Sequence, residues 1–319
     1  MIIKSLSKNL IYKEAEIKNI IATIERLSRV KSNIFFLGEG GTGKRTLAFL
    51  YHKLLWGEND KFFYHINSGN IDREIGYSML FGHVKGAFTG AVEDKKGILD
   101  FAKTLYVSSI ELLPTNLQSP LLRLLEGGEY IPLGSDKKSI FTGVIIISST
   151  ITDISKLKRS ISESLFYYLN SKLIFIPPLR ERTEEIIPLA KLKLRELNKR
   201  FNRKKKFSEE FLLFLKQYRF KGNIRELFNI IEKSFIESQN SNLLEFTGEL
   251  RSFFSGGEFI KDSVENLISL EELKRRYFLE IFRLTGGNRT KISKILGITR
   301  KSVYNYLKKY GLLKENGKN

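Results

Sequence analysis

A glycine loop set between an apolar run and a helical run constrains this chain more than any other feature. Residues 34–48 read IFFLGEGGTGKRTLA. Ile34–Leu37 has the apolar character of a buried strand, and a helical pattern follows Lys44. Between them stand Gly38, Glu39, Gly40, Gly41, Thr42, Gly43 and Lys44. Glycines let successive backbone N–H groups converge on phosphate oxygens, the helix N-terminus adds positive dipole, and Lys44 adds a full charge. The loop therefore predicts ATP or ADP as ligand. In phosphate loops the residue after the lysine is Ser or Thr, whose hydroxyl touches magnesium. Arg45 stands there instead and Thr46 comes one place late, so magnesium is left open.

Further strand-like runs at Phe62–Ile66, Leu105–Val107 and Val144–Ser148 alternate with amphipathic stretches, which predicts an α/β domain with a mainly parallel sheet. Pro177 and Pro178 interrupt the chain; helical patterns follow, including 208–218 and 223–237. Ser-Gly-Gly at 255–257 lies in a stretch with no sustained period. The expected organisation is an α/β phosphate-loop core over 1–176, a helical lid over 177–240, a linker over 241–266 and an all-α unit over 267–319. The formal net charge is +19, with basic residues concentrated at 191–206 and from Lys274 onward, which favours nucleic acid as partner. No cysteine is present, so disulfides and thiolate metal sites are excluded, and histidines at 52, 65 and 83 are too scattered for a metal site. No apolar run is long enough to cross a bilayer and the N-terminus lacks a signal core, so no membrane partner and a cytoplasmic location are expected.

Residues 286–311 read GGNRTKISKILGITRKSVYNYLKKYG. Asn288 can cap a helix to about Ile295, Gly297 can make a tight turn, and Thr299 can cap a second helix. Ile292, Ile295, Leu296, Ile298, Val303, Tyr306 and Leu307 have the spacing of a small core. This predicts a helix-turn-helix whose second helix reads double-stranded DNA through Thr299, Arg300, Lys301, Ser302, Tyr304 and Asn305. The amphipathic stretch 269–284 is expected to dimerise and pair two recognition helices across a palindrome.

Residues 80–91 read LFGHVKGAFTGA, a glycine-bounded loop presenting Phe88, which suits docking. With this loop the chain resembles the sigma-54-dependent activators, or bacterial enhancer-binding proteins, which join an AAA+ domain to a Fis-type helix-turn-helix. Their hallmark hexapeptide stands intact as Gly86, Ala87, Phe88, Thr89, Gly90 and Ala91. LLPTNLQSPLLRLLEGGEYIPLG at 112–134, PPLRER at 177–182 and GNIREL at 222–227 extend the resemblance over nearly the whole chain. Since the chain starts almost at the ATPase core, no N-terminal receiver or sensory domain is expected. The resemblance implies that the loop engages sigma-54 bound to RNA polymerase, driven by ATP hydrolysis in a hexameric ring. It also implies a sensor II role for Arg225 and a switch role for Asn67.

Four positions depart from that pattern. Where the family has GGTLFLDEIGELP, this chain has LDFAKTLYVSSIELLP, so Ser108 and Ser109 replace the metal-holding and water-polarising acids. Glu111 lies two residues further on and is not expected to substitute, because catalysis needs close placement. The sensor I asparagine falls at Ile151, and the two arginine fingers fall at Ser162 and Tyr168. The expectation is a DNA-binding regulator that binds nucleotide, hydrolyses ATP weakly or not at all, carries no assigned catalytic residue, and self-associates as a dimer or in a hexameric or mixed ring. A working motor with substitute residues, and a DNA-binding scaffold or repressor without sigma-54 contact, stay open as alternatives.

Overall fold

The computed structural model describes residues 15–73, 75–238, 241–244, 269–310 and 312. The chain divides into two compact units, Met1–Glu245 and Phe246–Asn319. The first begins with α1 (Ala15–Arg29), β1 (Ile34–Leu37) and α2 (Lys44–Trp56), and continues through β2 (Phe63–Asn67), α3 (Gly76–Phe81), β3 (Thr104–Ser108) and α4 (Thr115–Gly127). A short antiparallel pair, β4 (Glu129–Tyr130) and β5 (Ser139–Ile140), precedes β6 (Val144–Ser149), α5 (Ile154–Ser160), α6 (Glu163–Asn170) and β7 (Leu173–Phe175). The central sheet has the order β2-β3-β6-β1-β7 and every pairing in it is parallel.

Strand periodicity sorts the apolar residues onto two faces. Phe35, Leu37, Leu105, Val107, Ile145 and Ile147 pack with Leu117, Leu121 and Leu165 on one side. Ile34, Phe36, Tyr106, Val144 and Ile146 pack with Ile20, Ile24, Leu47 and Tyr51 on the other. A parallel sheet covered on both faces requires such near-continuous apolar strands.

The lid comprises α7 (Thr183–Phe201), α8 (Glu209–Gln217) and α9 (Asn223–Glu237), with β8 (Lys206–Phe207) paired in parallel to β9 (Leu243–Leu244). The second unit holds α10 (Leu270–Leu284), α11 (Arg289–Leu296) and α12 (Arg300–Lys309) around Phe278, Ile281, Ile292, Val303 and Leu307.

The α/β architecture with a helical lid and a C-terminal helical unit is as expected. Three details differ. The second strand begins at Phe63, because Asn59 caps a 3-10 turn over Asp60–Phe62. Leu243–Leu244, expected within the linker, pairs with β8 and so belongs to the lid; residues 245–268, the rest of that linker, lie outside the described residues, as do 1–14 and 313–319. Ile295, expected in the small core, is 53% exposed, since the turn at Gly297 points its face of α11 outward.

Candidate functional site

The carboxyl ends of β1, β2, β3 and β6 converge at one edge of the sheet, where parallel α/β folds bind ligands. Their register sets Asn67 opposite Ser108, and Ser108 opposite Ser148. Gly38 to Gly43 bridge β1 and α2, and Lys44 opens the helix. Gly41 has φ of 80°, and a Cβ there would meet the Gly222 carbonyl at 2.3 Å, so this position tolerates only glycine.

Lys44 is 8% exposed. Its ammonium donates to the carbonyls of Gly38 (2.5 Å) and Glu39 (2.7 Å). Burial pushes its pKa down to about 8; the charge of Glu111 opposes that shift, Arg225 adds to it, and Glu39 opposes it. Arg45 and Thr46 are exposed on the first turn of α2. Thr42 is buried, with its hydroxyl donating to the Glu39 carbonyl (2.9 Å).

The lid is fastened directly to this loop. Arg180 grips Glu39 through both guanidinium nitrogens, at 2.8 and 2.6 Å. With Asn223 also donating to it, the Glu39 carboxyl is held below the usual carboxylate range, chiefly by Arg180. Asn223, fully buried with φ of 57°, donates to the Gly40 carbonyl (2.9 Å) and accepts from the Leu179 N–H (2.7 Å). Ile224 N–H donates to the Gly41 carbonyl at 3.0 Å. Arg182, buried against Glu185, donates to the Thr42 carbonyl at 3.0 Å. Arg225 is exposed on the first turn of α9, its Cβ 3.1 Å from where a Gly41 Cβ would stand. Sequence reasoning marked PPLRER and GNIREL as family matches but missed Arg180, Arg182 and Asn223 as clamps on the phosphate loop.

The acid positions are filled differently from a metal site. Ser108 Oγ donates to the Ile66 carbonyl (3.3 Å) and lies 2.9 Å from His65 Nε2. Ser109 adopts the left-handed region (φ 57°, ψ 54°) and starts a 3-10 turn over Ile110–Leu112. That turn carries Glu111 back toward the loop. Its Oε1 accepts from both the N–H (3.1 Å) and the hydroxyl (2.6 Å) of Thr150, and its Oε2 is buried without a hydrogen-bond partner. Among the described residues no group of three His, Cys, Asp or Glu can hold a metal. One carboxylate oxygen, two serines and an arginine make a poor donor set for magnesium, which wants hard oxygen ligands in octahedral array.

Asn67 caps the 3-10 turn after β2, its side chain accepting from the Gly69 N–H at 3.1 Å. Ile151 packs against the first core rather than facing ligand with a polar group. Ser162 is exposed at the start of α6 and its N–H donates to Gln118 Oε1 (2.7 Å). Tyr168 turns inward: its hydroxyl donates to the Leu125 carbonyl (2.6 Å) and accepts from Asn33 (3.4 Å).

The Gly86–Ala91 loop stands away from the phosphate loop in sequence, on a stem formed by His83 and Lys95, which exchange hydrogen bonds of 2.9 and 2.8 Å. Gly86 and Gly90 have φ of 83° and 103°, and Gly86 N–H donates to the Ala91 carbonyl at 2.9 Å, closing the loop on itself. Phe88 is 46% exposed, with one edge against the His83 ring at 5.0 Å. Ala87 is half-buried, Thr89 exposed and Ala91 buried.

In the second unit, Asn288 Oδ1 accepts from the N–H groups of Thr290 and Lys291, and Thr299 Oγ1 accepts from Ser302 N–H, so both expected caps form. Gly297 (φ 65°) makes the turn. Arg300, Lys301, Tyr304 and Asn305 are exposed on the leading turns of α12, while Ser302 is half-buried. The guanidinium of Arg289 lies over the Tyr304 ring at 5.6 Å. Lys309 pairs with Glu271 (2.7 Å), tying α12 to α10.

A phosphate loop at the carboxyl edge of a parallel sheet, a docked helical lid and a separate helix-turn-helix define an AAA+ regulator of transcription. The sigma-54 interaction domain family matches residues 10–174, the AAA+ ATPase lid domain family matches 180–248, and the Fis family of bacterial regulatory proteins matches 269–310. The chain belongs to the sigma-54-dependent transcriptional regulators. It is 32% identical over 302 residues to the alginate biosynthesis transcriptional regulatory protein AlgB of Pseudomonas aeruginosa, covering 92% of this chain and 65% of that protein. It is 30% identical over 342 residues to the DNA-binding transcriptional regulator NtrC of Rhizobium meliloti, covering 95% and 70%. The chain thus spans just under two thirds of the length of AlgB. Among solved structures, NtrX from Brucella abortus in complex with ADP matches with a TM-score of 0.69 at 22% identity, over 97% of this chain and 72% of that one. No described helix is long and apolar enough to cross a membrane.

Proposed function

We propose that this chain is a DNA-bound regulator directed at sigma-54 and RNA polymerase, whose nucleotide site binds ATP or ADP and hydrolyses it slowly or not at all. The observation that carries the reading is at the end of β3. Ser108 occupies the position of the metal-holding acid with its hydroxyl committed to Ile66 and His65. A water-activating group alone contributes about 10²–10⁴ in rate, and an arginine finger about 10³–10⁵. Ser109, Ile151, Ser162 and Tyr168 bring none of the expected groups, and Tyr168 is tied into its own subunit. Such losses are not multiplicative, because the parts act as a unit, but each acts in the same direction.

Binding is supported by what remains. Lys44 and the loop amides face the phosphate position, Arg225 stands over the loop, and the Brucella NtrX relative takes ADP in the same fold. Gly86 to Ala91 serve as the sigma-54 contact, with Phe88 as the anchor. Thr299 to Asn305 enter the major groove. The domain limits follow the expected 1–176, 177–240 and 267–319 divisions, the last pairing two copies through α10 on a palindromic site.

Steady-state hydrolysis by the purified chain is the direct test. Turnover equal to that of Lys44→Ala supports the reading, and robust turnover lost in Lys44→Ala sinks it. One observation favours a second reading, that of a working motor: Glu111 is anchored by Thr150, is felt by Lys44 and keeps one buried oxygen without a partner. In that case Glu111→Gln abolishes turnover.

A further inference from the structure

The phosphate site carries cations where other phosphate loops recruit one. Arg45 takes the place of the magnesium-touching hydroxyl and is exposed on the first turn of α2, next to Lys44. Its side chain is directed toward the ends of β2 and β3, because its charge acts on two groups there. It helps lower the basicity of His65, which burial already depresses, and it acts on the Tyr106 phenol. The rings of His65 and Tyr106 stack at 4.8 Å, and Ser108 Oγ is 2.9 Å from His65. The guanidinium of Arg45 therefore lies toward the gap between loop and β3 in which a divalent ion would sit.

The surrounding charges support the same assignment. Glu39 is neutralised by the two-nitrogen grip of Arg180, and Glu111 is the one other carboxylate that acts on Lys44. Lys44, Arg45 and Arg225 face it. A guanidinium binds phosphate oxygens through paired N–H groups and stays charged at any accessible pH.

We propose that Arg45 supplies, within the chain, the positive charge that a divalent cation would bring, so that this site takes a nucleoside di- or triphosphate in its metal-free form. The proposal rests on the reading that the site binds nucleotide.

The test is calorimetric titration of the full chain with the β,γ-imido analogue of ATP, in excess EDTA and in excess magnesium chloride. Affinity in EDTA is expected within about threefold of that in magnesium. Arg45→Ser should lose about tenfold or more in EDTA, whereas Arg45→Lys, which keeps a charge, should lose less. Fluorescence of the single tryptophan, Trp56, confirms that each variant is folded. Wild-type binding at least about tenfold tighter in magnesium, and lost in Glu111→Gln, would overturn the proposal by showing that Glu111 holds a metal. Binding in neither condition overturns the nucleotide reading itself, a result distinct from metal-dependent binding.

Discussion

At the scale of single residues, Lys44 links burial to pH. Burial pushes its pKa down to about 8, so in the ligand-free protein about half of it is neutral near that pH. A polyphosphate binds the charged form. Affinity for ATP should therefore be flat below pH 7 and fall as pH rises through 8, by at most about tenfold per pH unit. Binding at pH 9 should take up a proton, measured by calorimetry in buffers of different ionisation enthalpy. Constant affinity from pH 7 to 9.5 would contradict this. Lys44 itself was legible from spacing alone, because glycine loop, lysine and helix are contiguous. Glu111 was not. Its approach depends on Ser109 entering the left-handed region, which a serine adopts at a cost of about 1–2 kcal/mol and which no local signal announces. Asn223 was hidden similarly: the sequence shows an asparagine at a helix start, and only the fold turns it against Gly40 and Leu179.

At the scale of elements, the strands that read clearly were those apolar on both faces. β7 was missed because three residues between Lys172 and Pro177 at a sheet edge give no period to count. The entry to α7 shows how lid and loop are joined. Arg182 and Glu185 form a buried ion pair at 3.0 Å, and the same guanidinium reaches the Thr42 carbonyl. Breaking a buried pair by removing one partner costs about 3–5 kcal/mol. Arg182→Ala should destabilise the first unit by that order. Urea unfolding followed by Trp56 fluorescence reports this unit alone, since no other tryptophan exists in the chain. A loss below about 1 kcal/mol would mean that the pair is not a structural fastening. The helix-turn-helix caps, by contrast, were legible, because Asn288 and Thr299 act on N–H groups two and three residues away. Ile295 was misassigned because its spacing fits the core stripe while the turn after α11 faces it outward.

At the scale of the whole molecule, the DNA and nucleotide functions fall on separate units. A fragment ending near residue 265 should lose specific operator binding in footprinting while keeping nucleotide binding. In the full chain, Arg300→Ala should weaken operator binding by roughly 1–3 kcal/mol if it reads a base edge. Retention of the same footprint by the fragment would displace the second unit from its assigned role. Mixed with an active relative, this chain should lower ring turnover, since neither Ser162 nor Tyr168 can complete a neighbour's site.

The grip of Arg180 and Asn223 on Glu39 has a consequence for a site that turns over little or nothing. A motor couples nucleotide to movement by consuming it, so its cycle has a direction. Without consumption the coupling becomes reciprocal: whatever factor nucleotide contributes to the lid's position, a partner pressing on the lid returns to nucleotide affinity. The clamp would then make the subunit an equilibrium gauge, its occupancy tracking the free nucleotide pool and its neighbours at once, with no fuel spent in the reading.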